Sequence, residues 1–134
     1  MAPDEFTEIL IKVNIEKSDE ALEIAEYSLS KNKLMTALNR IYYAIFYTTT
    51  ALAQKHDFRT SKHITLFQWF NKKFIYEEKI FDENLSKIYK KAFQFRQKGD
   101  YDFYYKPDLE ETKKLMSDAK IFIETVRKSF LQNL

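Results

Sequence analysis

The chain contains a single glycine, Gly99, and two prolines, Pro3 and Pro107, in 134 residues. β-Sheets need tight turns, and tight turns need residues that tolerate positive φ, chiefly glycine. One glycine cannot supply several hairpins, and it also excludes a glycine-rich loop for nucleotide phosphates. The sequence therefore predicts an all-α fold whose helices are joined by short polar loops.

Length and composition predict one globular domain, residues 1–134. A chain of this size buries roughly two-thirds of its unfolded surface, which is enough for one core. Apolar residues make up 45% and charged residues 31% of the chain, which is the balance of a globular protein. No cysteine is present, which excludes disulfides and thiolate metal sites. We expect a cytoplasmic protein, since the acidic start does not resemble a signal peptide and no apolar run is long enough for a membrane span.

Hydrophobic periodicity predicts an up-and-down bundle of four or five helices. The first helix is expected over about residues 4–29, with a break near Asn14. The third is short, about residues 61–73, and is expected to be capped by Thr60 or Ser61. The second carries the clearest inward stripe, which consists of Leu34, Leu38, Ile41, Ile45, Thr48 and Leu52.

An aromatic loop, about residues 99–106, separates the last two helices. Asp82 is a good N-cap for the fourth helix. Gly99 is expected to end that helix, because glycine commonly follows a helix C-terminus. Asp108 begins a capping box before the final helix, whose inward stripe consists of Leu115, Ala119, Phe122, Val126 and Phe130.

Arg96 is the charged residue that the pattern places on the core side of a helix. It continues, in steps of three and four residues, the inward stripe formed by Leu85, Tyr89 and Ala92. A guanidinium facing inward needs partners, because an unpaired buried charge is costly. Two alternatives follow: an ion pair with Asp100, Asp102 or an acid of the first helix, or a site for an anion such as phosphate, which a planar guanidinium binds well.

A basic segment and a polar, aromatic helix face accompany Arg96. Residues 33–75 hold seven Lys and Arg against one acid, Asp57, which indicates either a solvated face or a phosphate-facing surface. Within this segment Arg40, Tyr43 and Tyr47 share one face of the second helix. Amphipathic packing explains that face, and a subunit interface or a groove for nucleic-acid bases is the alternative.

His56 and His63 are the only histidines. No metal-binding spacing such as His-Glu-x-x-His is present, so we expect neither a metal nor another cofactor. His63 lies at the start of the third helix, next to Lys62 and near Arg59. Its default role there is that of a cap or a packed polar residue.

Four segments together resemble the HEPN domains of small bacterial and archaeal proteins. Residues 40–47, Arg-Ile-Tyr-Tyr-Ala-Ile-Phe-Tyr, are similar to the signature R-A-Y-Y-A-x-F. Residues 61–63, Ser-Lys-His, are similar to the K-S/T-H start of the third helix of that family. Residues 92–102 are similar to A-x-x-x-R-x-x-A-D-Y-D, and residues 123–127 resemble the closing helix. The resemblance covers about residues 17–131.

The resemblance implies a helical bundle that dimerises and acts beside a small nucleotidyltransferase, in toxin–antitoxin or nucleotide-handling pairs. Many HEPN domains are metal-independent ribonucleases, in which an arginine and a histidine four to six residues later meet across a dimer cleft. Arg96 matches the arginine, but positions 101–103 hold Tyr101, Asp102 and Phe103. Tyrosine, with an ordinary pKa near ~10, is a poor substitute for histidine in exchanging a ribose proton near neutral pH.

The sequence leaves three functions open. The first is a homodimeric module that binds a nucleotidyltransferase, RNA or a nucleotide phosphate without cleavage, through Arg96, Arg40, Tyr43, Arg59, Lys62 and Asp100. The second is a ribonuclease toxin with a rearranged catalytic site, formed by Arg96, His63 and Tyr101. The third is a structural helical partner protein, in which Arg96 only ties the loop to the bundle.

Overall fold

A computed structural model describes residues 3–131 of the chain, and in this range the fold is an all-α bundle with no strand. The third helix, His63–Phe70, continues directly into a π-helical segment, Asn71–Glu77. The helices are α1 (Pro3–Ser30), α2 (Leu34–Lys55), α3 (His63–Phe70), α4 (Glu83–Tyr101) and α5 (Leu109–Leu131). The predicted fold class is confirmed. Between residues 3 and 131 no helix is both long and apolar enough to cross a membrane.

The central helix is α2, which contacts each of the other four helices. Its predicted inward stripe is buried from Leu38 to Leu52, and each large apolar side chain of this kind stabilises the fold by roughly 1.5–3 kcal/mol. Three fully buried alanines recur every seventh residue along α2, at positions 37, 44 and 51. They leave room for α1, and the Ser18 hydroxyl donates to the backbone carbonyl of Ala44 at 2.7 Å.

The first helix is continuous, so the predicted break near Asn14 is wrong. Its buried line includes two serines, Ser18 and Ser28, together with Ile11, Ala21 and Ala25. The Ser18 hydroxyl is also within hydrogen-bond distance of the Thr48 hydroxyl, at 2.9 Å. Small polar residues that find partners in the core interrupt the apolar pattern without interrupting the helix.

The prediction that Gly99 ends the fourth helix is also wrong. Helix α4 runs on to Tyr101, and Gly99 has no positive φ. The ion pair between Arg96 and Asp100, at positions i and i+4, supports the last helical turn across the glycine. The aromatic loop is therefore shorter than expected and begins at Asp102.

The predicted N-caps of α4 and α5 are confirmed by side-chain hydrogen bonds. Asp82 accepts from the backbone N–H of Asn84 at 2.7 Å, and Asp108 accepts from that of Glu111 at 2.9 Å. The start of α3 differs from the prediction. Lys62 occupies the N-cap position without a side-chain hydrogen bond, because the Thr60 hydroxyl accepts from the Lys62 N–H in a local turn at 3.1 Å.

Candidate anion-binding site

Arg96 lies on the inner side of α4, as its sequence position predicts. The stripe that precedes it is buried, and the Arg96 side chain itself is 17% exposed. Its guanidinium carbon lies 5.3 Å from the ring centroid of Tyr42 and 5.4 Å from that of Tyr43. Aromatic faces attract a guanidinium, and more strongly where water is excluded. The two consecutive tyrosines of α2 therefore hold Arg96 at the α2–α4 contact.

The partners of Arg96 leave part of its hydrogen-bonding capacity unused. Its Nε lies 3.0 Å from Asp100 Oδ2, but that N–H is not aligned with any acceptor among the described residues. The contact with Asp100 is therefore an ion pair rather than a well-formed hydrogen bond. Among the described residues, the side-chain hydrogen bond that Arg96 does form is long: Nη2 donates to the Tyr43 hydroxyl at 3.4 Å. A guanidinium has five N–H donors, so donors remain for an incoming anion.

Arg40 supplies a second guanidinium at the same ring. Its guanidinium carbon lies 5.0 Å from the Tyr43 centroid. The side chain is oriented by Asn39, whose Oδ1 accepts from Nε at 3.0 Å and from Nη2 at 2.8 Å. No carboxylate of the described residues forms an ion pair with it. Two guanidinium groups thus face one tyrosine ring, and Asp100 is the one carboxylate of residues 3–131 that pairs with either of them.

His63 is brought to the same place by Tyr42. Its Nδ1 is hydrogen-bonded to the Tyr42 hydroxyl at 2.8 Å, and its ring stacks on Phe46 with the centroids 4.2 Å apart. Burial, and then the positive charge of Arg96, lower the pKa of His63 below its ordinary 6.5. His63 is therefore neutral at physiological pH, as a proton acceptor must be.

Tyr42 joins the two sides of this cluster while remaining uncharged. It is completely buried, and burial raises its pKa far above the ordinary value, with Arg96 opposing that rise only in part. The hydroxyl therefore stays protonated and can serve His63 as donor or acceptor, according to the tautomer of the histidine. We call Arg40, Tyr42, Tyr43, His63 and Arg96 the arginine–tyrosine cluster.

Not all residues expected at the site join this cluster. Arg59 lines a separate groove of about 330 Å³ between the end of α2 and the following loop. Lys62 is exposed on that loop. Tyr101 is 78% exposed and lies about 140° around α4 from Arg96, given 100° per residue. The structure places these three residues outside the cluster because the loop and the far face of α4 point elsewhere.

Sequence reasoning missed Tyr42 and Phe46 as parts of the site. Both lie in the segment that carries the family resemblance, four residues apart on α2, and their rings stack with the centroids 6.1 Å apart. A tyrosine inside an apolar seam is a usable signal, because its buried hydroxyl needs a partner. The partner, His63, comes from a different helix, so the sequence pattern could not identify it.

Among residues 3–131, no group of three or more His, Asp or Glu side chains could hold a metal ion. The chemistry of the cluster is that of two guanidinium groups, two phenols and one neutral imidazole. Such a set binds anions by charge-assisted hydrogen bonds, and it contains one group able to exchange a proton near neutral pH.

Comparisons with known proteins match most of the chain to one domain family. A model of the HEPN domain matches residues 11–129. The "UPF0332 protein" of Thermotoga maritima is 32% identical over 112 residues, which cover 84% of each chain. From Methanocaldococcus jannaschii, "Putative toxin MJ0142" is 31% identical over 85% of this chain and 77% of its own. "Putative toxin MJ0605" of the same organism is 31% identical over 93% of this chain and 98% of its own.

Proposed function

The chain belongs to the HEPN domain family, and from that premise we propose that it is the HEPN partner of a toxin-type pair that binds a nucleotide or nucleic-acid phosphate without cleaving it. The proposal includes a homodimer and a nucleotidyltransferase partner. The names of two relatives, which call those proteins putative toxins, support the assignment to a toxin-type pair. The observation that carries the phosphate site is the pair of guanidinium groups facing Tyr43.

The charge balance of the cluster favours an anion. Arg40 has no carboxylate partner among the described residues, and Arg96 is paired with Asp100, which is itself partly exposed. The guanidinium carbons of Arg40 and Arg96 lie 5.0 and 5.4 Å from the Tyr43 centroid. They are therefore within about 10 Å of each other. A phosphate that reached both guanidinium groups would accept charge-assisted hydrogen bonds from each, and the Tyr43 hydroxyl offers a further donor.

The absence of a histidine at the positions where the family pattern expects one supports binding without cleavage. The family pattern expects it at positions 101–103, and none of these residues is a histidine. Tyr101 and Phe103 are also strongly exposed, and Tyr101 lies on the far side of α4 from Arg96. A ribose held against Arg96 would find no histidine in that segment.

Calorimetric titration with ATP tests the phosphate site. We expect Arg40→Gln and Arg96→Gln each to weaken binding at least tenfold, since each removes one charge-assisted contact. Arg59→Gln is the matched control, because Arg59 is a basic residue outside the cluster, and it should change Kd less than twofold. If both cluster variants bind ATP as the parent does and only melt at lower temperature, the arginines are structural and the protein is a helical interaction module.

The expected assembly is tested separately. Sedimentation equilibrium should give twice the chain mass of 16.2 kDa. A tagged copy expressed in the native host should recover a nucleotidyltransferase in stoichiometric amount. A monomer at micromolar concentration, with no such partner recovered, would contradict this part and leave the phosphate site to be judged on its own titration.

A second candidate function is a metal-independent ribonuclease, and the position of His63 beside Arg96 favours it. In the tautomer whose Nδ1–H donates to Tyr42, the unprotonated Nε2 can accept the proton of a ribose 2′-hydroxyl. The 2′-oxygen then attacks phosphorus, the 5′-oxygen leaves and takes up a proton from water, and a 2′,3′-cyclic phosphate forms. Arg96 would stabilise the charge on the phosphate oxygens in the transition state.

The two candidates differ in one measurement. Incubation with RNA in the presence of chelator should leave the RNA intact if the first function is correct. Fragments ending in a 2′,3′-cyclic phosphate, lost in both Arg96→Gln and His63→Gln, would establish the second function. Cleavage that survives both variants would come from a contaminating nuclease.

A further inference from the structure

The outer face of α4 carries a row of basic and amide side chains. At 100° per residue, these positions lie about 100–180° around the helix from Arg96, so they are separate from the arginine–tyrosine cluster. The row extends about 17 Å along the helix, at a rise of 1.5 Å per residue. We call it the α4 stripe, and it consists of Lys87, Lys90, Lys91, Gln94, Gln97 and Lys98.

The four lysines of the α4 stripe form no ion pair with any carboxylate of the described residues, whereas the lysines of α5 all do. On α5, Lys113 pairs with Glu110 at 3.8 Å, Lys114 with Asp118 at 3.7 Å and Lys128 with Glu124 at 3.0 Å. Lys120 pairs with Glu26 of α1. The two helices are similarly rich in lysine, so this difference gives the outer face of α4 an uncompensated positive charge.

Aromatic rings are interleaved with these lysines. The ammonium groups of Lys91 and Lys98 lie 5.6 and 5.7 Å from the ring centroid of Phe95. Lys98 also lies 5.8 Å from the centroid of Tyr105. Cation–π contacts of this kind hold the lysine stems along the helix surface. The ammonium groups of Lys91 and Lys98 are thereby held close to the helix surface.

The stripe ends at three aromatic side chains that are almost fully exposed. Tyr101, Phe103 and Tyr104 are 78%, 93% and 87% exposed. Phe103 and Tyr104 contact each other edge to face, with centroids 5.3 Å apart. Exposed large aromatics that are grouped together mark a site of interaction. We call these three residues the aromatic tip.

The acids beside the aromatic tip are already engaged. Asp100 is paired with Arg96 at 3.0 Å, and Asp102 Oδ1 accepts from the backbone N–H of Tyr104 at 3.0 Å. A groove of about 600 Å³ lies between the tip and the stripe, lined by Gln94, Gln97, Lys98, Tyr101 and Asp102. The groove is therefore bordered by two amides, one ammonium group, one aromatic ring and the Asp102 carboxylate, whose Oδ1 already accepts from the Tyr104 N–H.

We infer that the α4 stripe and the aromatic tip bind a single-stranded nucleic acid, with its phosphates along the lysines and its bases stacked on the exposed rings. Charge and ring stacking together distinguish single strands, because the bases of a duplex are already stacked on each other. An acidic protein surface would also attract the lysines, and competition by polyglutamate distinguishes it from a nucleic acid, whose bases stack in succession on exposed rings. This surface lies on the opposite side of α4 from Arg96 and does not depend on the function proposed for the cluster.

Fluorescence anisotropy with a labelled 20-nucleotide oligouridylate, between 50 and 200 mM salt, tests the inference on the full chain. The variant Lys87→Gln/Lys90→Gln/Lys98→Gln should bind at least tenfold more weakly at 100 mM salt. Its log–log salt slope should fall by about 2, since each phosphate contact on a single strand contributes roughly 0.7. The variant Phe103→Ala/Tyr104→Ala should lose about tenfold in affinity with an unchanged salt slope, because it removes stacking and no charge.

The matched control is Lys113→Gln/Lys114→Gln/Lys128→Gln, which removes the same charge from the paired lysines of α5 and should change affinity less than twofold. An equal loss in the control would mean that net charge alone attracts the strand, and the inference would be wrong. It would also be overturned if a 20-base-pair duplex bound as tightly, or if polyglutamate of equal charge displaced the oligonucleotide as well as unlabelled oligouridylate does. All substituted side chains are exposed or at the surface of the bundle, so circular dichroism should show each variant folded.

Discussion

The hydrogen bond between Tyr42 and His63 makes the most direct test of the cluster geometry. The Tyr42 hydroxyl is buried and lies 2.8 Å from His63 Nδ1. The change Tyr42→Phe removes this one oxygen and keeps the ring that packs beneath Arg96. We expect the variant to be destabilised, because the ring nitrogen of His63 loses its partner where water has limited access.

The size of the effect follows from the burial of His63. Leaving a fully buried acceptor unpaired costs about 1–3 kcal/mol. The His63 side chain is only partly buried, so the lower end applies, about 1 kcal/mol. With an m-value of roughly 2 kcal/mol per molar urea for a domain of this size, the unfolding midpoint should fall by about 0.5 M.

Tyr89→Phe is the matched control, measured by urea unfolding followed at 222 nm. Tyr89 is as deeply buried as Tyr42, but its hydroxyl has no well-aligned partner among the described residues. The Thr49 hydroxyl acts on the pKa of Tyr89, yet it donates its hydrogen to the Ile45 carbonyl at 2.8 Å. Removing the Tyr89 hydroxyl should therefore leave stability unchanged or raise it by up to about 1 kcal/mol. A stable Tyr42→Phe together with a destabilised Tyr89→Phe would refute the assignment of His63 to the cluster.

Three further predictions concern the scaffold. Burial lowers the pKa of both His56 and His63 below 6.5. At acidic pH the unfolded chain therefore binds more protons than the folded chain. The unfolding free energy should fall as the pH drops through 6.5, and it should fall less in His56→Gln/His63→Gln. Gly99→Ala should raise the free energy of unfolding by about 0.5–1 kcal/mol in thermal unfolding, because Gly99 is helical. The added Cβ has room, since its nearest neighbour would be Met35 Cε at 4.0 Å. A loss of stability would show that the helix ends at Gly99. Arg127→Met should lower the unfolding free energy by about 1 kcal/mol, since it removes the guanidinium contacts to α1 and α2, and a change below 0.3 kcal/mol would contradict this.

The fold class and most of the helix positions were predictable from local pattern. The stripes of α2 and α5 face the core as their three- and four-residue spacing predicts, and Asp82 and Asp108 cap the helices that follow them. These features depend on residues close together in the chain, whose geometry is set by the helix itself. The inward direction of Arg96 was predicted for the same reason.

The errors occurred where a residue type has two structural uses. Glycine ends many helices, but Gly99 lies within the last turn of α4, where an ion pair spans it. Serine usually disfavours a buried helix face, but Ser18 finds a carbonyl and a hydroxyl of α2. In both cases the outcome depends on a partner, and local pattern does not contain partners from elsewhere in the fold.

The sequence by itself determined that this protein is a bundle of helices with one arginine directed inward, because helix periodicity and the scarcity of glycine are properties of neighbouring residues. Only the tertiary structure decided that Arg96 meets Tyr42, Tyr43 and, through Tyr42, His63, and that Arg59 and Tyr101 stay apart from them. Such meetings join residues 21 to 54 positions apart. They are set by how the helices pack and rotate against one another, which the order of residues along any single helix does not specify.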